Sequence, residues 1–443
     1  MNTKKLLTLL ACLPLMAQAQ TWTLQQCLDY AAEHNITVQK NKLSELDATE
    51  QLKQSKAALF PSLSFSMSQS LGYRPFQQAT VMVQNGMATS TNNKLTENGS
   101  YGINANWTIW DGGVNRKNIE AKKVQTEQAE VQTDLSLKTI QEQIAQLYVQ
   151  ILYTTEAKKV NEQICATAKQ QLERGQERLK VGDLAKADVA QLEAQYASAQ
   201  YDVVNTQTQI DGFKRQLKAL LQLGIEEPFD VAATELEDSR ALSPIPDKQA
   251  VYAQALNSRP EIRAAELQAT ASDVQLNIAK RGYLPTISMN AGIGDSHYSA
   301  SDDALGEQMK RNLNGSIGLG LSVPIYDQRR TKTAISRARL AQTTAALDLQ
   351  DKRTALGSNI ENLWLNATSA QQRFISADAA VKSQETTYEL TNEQFKEGLK
   401  NIVDLLQARD NLLQAQNNKL QSKYTTILNT QLLKFYEGGE MGM

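Results

Sequence analysis

Proline is absent between Pro75 and Pro228 and again after Pro324. Inside a helix, proline removes a hydrogen bond and clashes with the preceding turn, so these two long proline-free arms are natural territory for long helices. The stretch Asp111 to Lys180 is rich in Gln, Glu, Ala, Lys and Leu, all good helix formers. At ~1.5 Å per residue it would reach on the order of 100 Å if continuous, far beyond the diameter of a compact domain. Composition points the same way. With 41% hydrophobic and 6% aromatic residues in 443, the chain is poorly supplied for one large globular core.

The apolar spacing shows how such arms are buried. Ala185, Val189, Leu192, Tyr196, Ala199 and Val203 step alternately by four and three, as do Leu405, Ala408, Leu412 and Ala415. That is a heptad seam, and its small alanines let helices approach closely. Each arm is interrupted once, by Lys180-Val181-Gly182-Asp183-Leu184 in the first and Lys396-Glu397-Gly398-Leu399-Lys400 in the second. A glycine at such a point suits a helix C-terminus, so each arm reads as an antiparallel hairpin with Gly182, Asp183, Gly398 and Leu399 at the turns.

These matching breaks belong to an internal duplication. Pro61 with Ser62-Leu63-Ser64 answers Pro285 with Thr286-Ile287-Ser288 at an offset of 224, and Ala31 answers Ala255. Trp110-Asp111 answers Tyr326-Asp327, Gly182 answers Gly398 and Asp188 answers Asp404, all at 216. The first repeat is expected over 20–223, with strands at about 61–73 and 99–110 and helices at about 111–180 and 184–223. The second is expected over 248–437, with strands at about 284–294 and 313–325 and helices at about 327–396 and 400–437. Between them, 224–247 carries three prolines and seven acids against one base, and reads as a boundary segment outside the helices. Residues 438–443 read as a flexible tail.

The four strands carry a pattern of their own. Leu63, Phe65, Met67, Leu71 and Tyr73 alternate with Ser62, Ser64, Ser66, Ser68 and Ser70; Tyr101, Ile103, Ala105, Trp107 and Ile109 alternate with Gly102, Asn104, Asn106 and Thr108. In the second copy, Ile287, Met289, Ala291 and Ile293 alternate with Ser288, Asn290, Gly292 and Gly294, and Ile317, Leu319, Leu321 and Val323 alternate with Ser316, Gly318, Gly320 and Ser322. One face is oily and the other almost wholly Ser, Gly, Asn and Thr, as between lipid and a water-filled lumen. Half-buried hairpins over a soluble core would alternate too, but would not require such small polar residues. Strands of about ten residues suffice to cross a bilayer when tilted. Four strands cannot close alone, because membrane barrels begin at about eight. Two chains would supply eight strands and three would supply twelve; the small lumen-facing residues favour the wider barrel.

The remaining features mostly exclude. Lys4 and Lys5, the apolar run Leu6 to Met16 and Ala17-Gln18-Ala19 form a signal peptide over 1–19, so the mature chain is exported. No later stretch has the ~18 consecutive apolar residues of a spanning helix. A net charge of -2, with signs interspersed, provides no basic stripe for nucleic acid. Cys27 and Cys165 give no disulfide framework. His34, near a helix start, and His297, in an expected loop, lack ligand spacing and should face solvent. No cofactor, metal site or catalytic set can be assembled, which argues against an enzyme. Arg329, Arg330 and Lys332 open the helix after the fourth strand, where interfacial cations belong.

The duplicated strands and hairpins, the Leu24-Gln25-Gln26-Cys27-Leu28 opening, the Ser258-Arg259-Pro260-Glu261-Ile262-Arg263-Ala264-Ala265 start of the second copy and the Gly398 turn resemble the TolC family of outer-membrane efflux proteins. The resemblance implies a mixed α and β membrane protein: a homotrimer closing one twelve-stranded barrel in the outer membrane, continued by an α-helical tunnel in the periplasm. It implies a passive gated exit duct for small molecules, docked through the hairpin turns onto a periplasmic adaptor and an inner-membrane pump. The same plan would serve type I protein secretion or metal export; a periplasmic coiled-coil scaffold is the rival of another class.

The resemblance also implies a gate near those turns. Asp188 matches the acidic residue after the first turn, and Lys400 stands where a gate Arg is found, without Arg's bidentate fork. Phe395 replaces a Tyr. Asp404 matches a first acidic ring, while Gln407 replaces a second carboxylate. One ring of three carboxylates is therefore expected, with Asp188 and Lys400 helping to latch the gate.

Overall fold

A computed structural model describes residues 21–76, 80–84, 87–91, 94–232, 236–299 and 304–442. The signal peptide lies outside them. The described elements are, in chain order, β1 (Thr21–Trp22), α1 (Leu24–His34), α2 (Ile36–Ala57), β2 (Ser62–Tyr73), β3 (Thr80–Gln84), β4 (Met87–Thr91), β5 (Leu95–Trp110), α3 (Val114–Lys180) and α4 (Lys186–Leu221). There follow β6 (Asp230–Val231), α5 (Asp238–Ala241), α6 (Lys248–Ser258), α7 (Pro260–Lys280), β7 (Thr286–Tyr298), α8 (Leu305–Asn312), β8 (Asn314–Ser322), α9 (Arg330–Lys396) and α10 (Ile402–Tyr436). Helices α3 and α9 are each 67 residues long, and their starts lie 216 apart. The β3–β4 hairpin and α8 fall where the sequence carried no clear period.

The chain divides into two compact units, one of 1–43, 131–263 and 350–443, the other of 44–130 and 264–349. The second unit holds an antiparallel four-stranded sheet in the order β2-β5-β7-β8. Its register sorts the side chains. Phe65, Ile103 and Ile293 stand side by side, as do Leu63, Ala105, Ala291 and Ile317, and Trp107, Met289 and Leu319. The opposite face aligns Ser62, Asn106, Asn290 and Gly318, and next to them Ser64, Asn104, Gly292 and Ser316. The apolar residues of β2 and β8 are exposed, Leu63 and Ile317 among them. Neither β2 nor β8 has a partner on its outer edge among the described residues. No described helix is long and apolar enough to cross a membrane.

His297 departs from expectation. It lies in β7 rather than a loop and is 7% exposed, its ring stacked on Tyr101 with centroids 5.7 Å apart. Gly99, directly across the ladder, leaves the imidazole the space that a side chain would fill. His34 is exposed and stacks on Tyr30.

The strand-to-helix turns repeat with one difference. Asp111 accepts from the Asn115 N–H and Asp327 from the Thr331 N–H, each at 2.7 Å, so both long helices begin on the same side-chain cap. Between cap and helix the first copy has Gly112 and Gly113 at φ 69° and 78°; the second has Gln328 and Arg329 at φ 51° and 66°. A Cβ on Gly113 would lie 2.5 Å from Arg281 Nη1. The second copy thus holds two side-chain-bearing residues in the left-handed region, at roughly 1–2 kcal/mol each.

In the first unit the helices that open each repeat break at matching points. Asn35 accepts from the Thr37 N–H and donates to the Leu220 carbonyl. Its counterpart Arg259 is buried between Glu142 (2.9 Å) and Glu261 (2.8 Å), with the Tyr436 ring 4.0 Å from its guanidinium. Burial pushes the Glu142 carboxyl up despite that partner. Cys27 is free and fully buried, and burial lifts its thiol to about 12.

The segment 224–247 contains a short strand and the four-residue α5, so it is not wholly outside helices. It is fastened by Lys419, which meets Asp238 (2.9 Å) and Asp378 (2.6 Å), and by Lys423, which meets Asp238 (3.0 Å) and Glu156 (3.7 Å). The tail is also less free than expected, since Gly439 bonds back to the Lys434 carbonyl and Met441 is buried.

Two outcomes follow from this architecture. Replacing Arg329 with Gly should raise the thermal midpoint, whereas Gly113→Arg should lower it; equal effects in a melting experiment would show that the turn stores no strain. For Asp238, burial pushes the carboxyl up, but the bonds from Lys419 and Lys423 outweigh it; Lys382 and Lys419 hold Asp378 down as well. Their stabilisation is complete above the ordinary aspartate value of 3.8 and is lost as pH falls through the lower folded values. Lys419→Met should therefore flatten the acid limb of stability below about pH 4, and an unchanged limb would contradict this.

Candidate functional site

The two hairpin turns are built alike. The Gly182 N–H bonds to the Leu179 carbonyl and the Asp183 N–H to the Arg178 carbonyl; Gly398 and Leu399 bond likewise to Phe395 and Gln394. These paired bonds close each helix in a Schellman turn, which needs the positive φ of 81° at Gly182 and 75° at Gly398. A Cβ on either glycine would meet nothing within 4 Å, so both turns are open on the outside. Val181 and Leu399 project there, about four-fifths exposed.

Behind the turns the hairpins share one apolar cluster. Leu172, Val189, Leu192, Ile402, Leu405 and Leu406 are buried, with Tyr388 and Phe395 packed on them. At Gly175 a Cβ would lie 2.6 Å from Leu192 Cδ1, so this glycine allows the close crossing of α3 and α4. The seam read from the sequence is thus a real interface, and it unites both hairpins.

The sequence-derived site residues fall as follows. Asp188 and Asp404 both occupy the first turn of their helices, where a carboxylate complements the helix dipole by about 0.3–1 kcal/mol. Asn401 accepts from the Asp404 N–H at 2.8 Å, a side-chain cap that α4 lacks at Ala185. Lys400 Nζ lies 3.6 Å from Asp404, not beside Asp188, within one chain. Gln407 donates to Asn411. Asp183 accepts from Arg178 Nε at 2.7 Å.

Arg178 is the residue that sequence reading missed. Besides Asp183, it donates through Nη1 to the Phe395 carbonyl at 3.4 Å and lies over the Phe395 ring at 5.5 Å, tying the first hairpin to the second. One helical turn pair away, Gln171 donates to the Tyr388 hydroxyl at 3.2 Å. In sequence, a cation four residues before a C-terminal glycine looks like any helix end. A cavity of about 530 Å³ opens between these links, lined by Gln171, Arg174, Gly175, Leu184, Asn392 and Phe395. No cluster of three or more metal-ligating side chains occurs among the described residues.

A sheet with one oily and one small polar face, joined to long paired helices that end in matched turns, has the parts of a membrane duct. The sequence pattern of the family described as outer membrane efflux protein matches residues 27–222 and 251–439, and the chain belongs to that family. It is 25% identical over 365 residues to the outer membrane efflux protein BepC of Brucella suis, covering 82% of this chain and 76% of BepC. It is 24% identical over 446 residues to the outer membrane protein TolC of Escherichia coli, covering 97% and 86%. The solved structure of CusC superposes with a TM-score of 0.79 at 17% identity, over 94% of this chain and 92% of that one. The protein is an outer-membrane exit duct for efflux.

Arg178 supplies a measurable test of how the first turn is held. A double-mutant cycle of Arg178→Ala with Asp183→Ala should give a coupling of roughly 0.2–1 kcal/mol, as for a largely exposed ion pair. Additive effects would show the contact to be idle.

Proposed function

We propose that three copies of the chain close a single twelve-stranded barrel, and that the hairpin turns gate and dock its helical tunnel. The observation that carries this reading is the pair of unpartnered edges on β2 and β8, flanking a face of exposed apolar residues. In lipid an open edge leaves peptide groups unsatisfied at several kcal/mol each, so those edges need strands from neighbouring chains. Four strands per chain reach twelve with three chains.

In this reading the work of transport comes from an inner-membrane pump through a periplasmic adaptor. The exposed turns at Gly182-Asp183 and Gly398-Leu399 are the surfaces an adaptor meets first. Asp404, repeated three times about an axis, makes one carboxylate ring, which favours cations. Lys400, close beside it, moderates that charge. Asp188, Phe395 and Gln407 complete the constriction, with the Arg178 and Gln171–Tyr388 links holding the two hairpins of each chain together. Small molecules are the cargo this reading favours.

Single-channel recording of the purified mature protein in planar bilayers tests the reading. Small, cation-preferring openings should appear; Asp404→Ala should abolish the preference, and Lys400→Glu should enlarge the openings. Cation preference unchanged by Asp404→Ala would remove that residue from the constriction. A water-soluble, non-trimeric product without conductance would favour a periplasmic scaffold.

A further inference from the structure

The cations below β8 are unused by the duct itself. Ile317, Leu319 and Leu321 make an exposed stripe along β8, and the alternation continues past its end through Val323 to Ile325, 96% exposed. Tyr326 follows at 85%, with Tyr283 also exposed. Within the next six positions come Arg329, Arg330 and Lys332, all exposed. None of the three has an ion pair among the described residues. The neighbouring acid, Asp327, is directed to the start of α9 through the Thr331 N–H.

The internal repeat provides a control. At the equivalent positions the first copy has Gly113, Val114 and Arg116, and its next cation, Lys117, is paired with Glu120. The second copy therefore places guanidiniums at two positions that are Gly and Val in the first, one of them on a residue held at φ 66° where its counterpart is glycine. Packing does not account for the pair, since both side chains project into the open.

We propose that Ile325, Tyr326, Arg329, Arg330 and Lys332 form a collar that binds the phosphate headgroups of anionic phospholipid at the periplasmic boundary of the outer membrane. The inference rests on the reading of the sheet as membrane-spanning. The exposed apolar stripe enters the acyl region, the tyrosine sits at the headgroup level where amphipathic rings belong, and the cations follow immediately outside. Guanidinium matches phosphate with two parallel hydrogen bonds, and clustered cations next to a spanning segment attract anionic lipid. The first copy lacks this grouping, so each chain contributes one collar segment.

The test is retention of lipid by the full-length mature protein. Protein reconstituted in vesicles of equal phosphatidylglycerol and phosphatidylcholine is extracted in mild detergent, and the co-purifying lipids are quantified by mass spectrometry. The wild type should retain phosphatidylglycerol several-fold over phosphatidylcholine. Arg329→Gln/Arg330→Gln/Lys332→Gln should bring that ratio close to one with unchanged helical content, while Lys117→Gln, in the first copy, should leave it alone. An unchanged ratio in the triple variant overturns the collar, as does stabilisation of the wild type by inorganic phosphate equal to that by phosphatidylglycerol. Failure of the wild type to insert into the vesicles would instead overturn the membrane reading itself. Arg329→Gly separates lipid binding from folding: the collar requires a lower lipid ratio without loss of thermal stability, and a loss of stability with an unchanged ratio would make Arg329 a structural residue.

Discussion

A peptide group in hydrocarbon must find its hydrogen bond within protein, and the rest of this structure depends on that demand. The four-stranded sheet satisfies it internally along three ladders and leaves it open along the outer edges of β2 and β8. The registers make the consequence two-sided. Because directly opposed residues share a face, a single alternation error in any strand would place Ser and Asn in the lipid or Phe and Leu in the water. The ladders keep the faces separate from Leu63 to Phe65 and their partners, whereas from Met67 onward the oily face gives way to Asp295 beside Tyr101, to Gln69 and His297 either side of Gly99, and to Glu97 beside Leu71.

Duplication supplies the parts and divergence assigns them. The two Schellman turns, the two aspartate caps and the two 67-residue helices are the same devices used twice. The copies differ where one surface meets something the other does not. Asn35 bridges to a neighbouring helix end, whereas its counterpart Arg259 is a buried cation between two carboxylates. Taking Arg259 alone away would strand Glu142 and Glu261 in a poorly solvated site, which gives the Ser258-Arg259-Pro260-Glu261 sequence a physical basis.

Much of this was legible because periodic signals are local. The long helices follow from the absence of proline and the heptad seams, and their described ends fall within about three residues of those expected. The strands follow from alternation, although Leu95–Trp110 and Thr286–Tyr298 run longer than the pattern suggested. What escaped was non-local. Neither the pairing of Arg178 with Phe395, 217 residues away, nor the burial of His297 opposite Gly99 leaves a mark in a linear pattern. The fastening of Asp238 by two lysines of α10 escaped for the same reason, since seven acids in a proline-rich stretch look equally solvated.

The short parallel pairing of β1 with β6 has a meaning in time. Thr21 and Trp22 meet Asp230 and Val231, and the Tyr148 hydroxyl donates to the carbonyls of Trp22 and Ala232. The beginning of the first copy is thus clasped to the boundary segment that follows it. Residue 232 completes that clasp, while β5 finds its second neighbour only in β7, in the other half of the chain. Assembly is thereby staged. The clasp can form before the second copy exists, whereas the apolar cluster behind the turns needs helices of both copies.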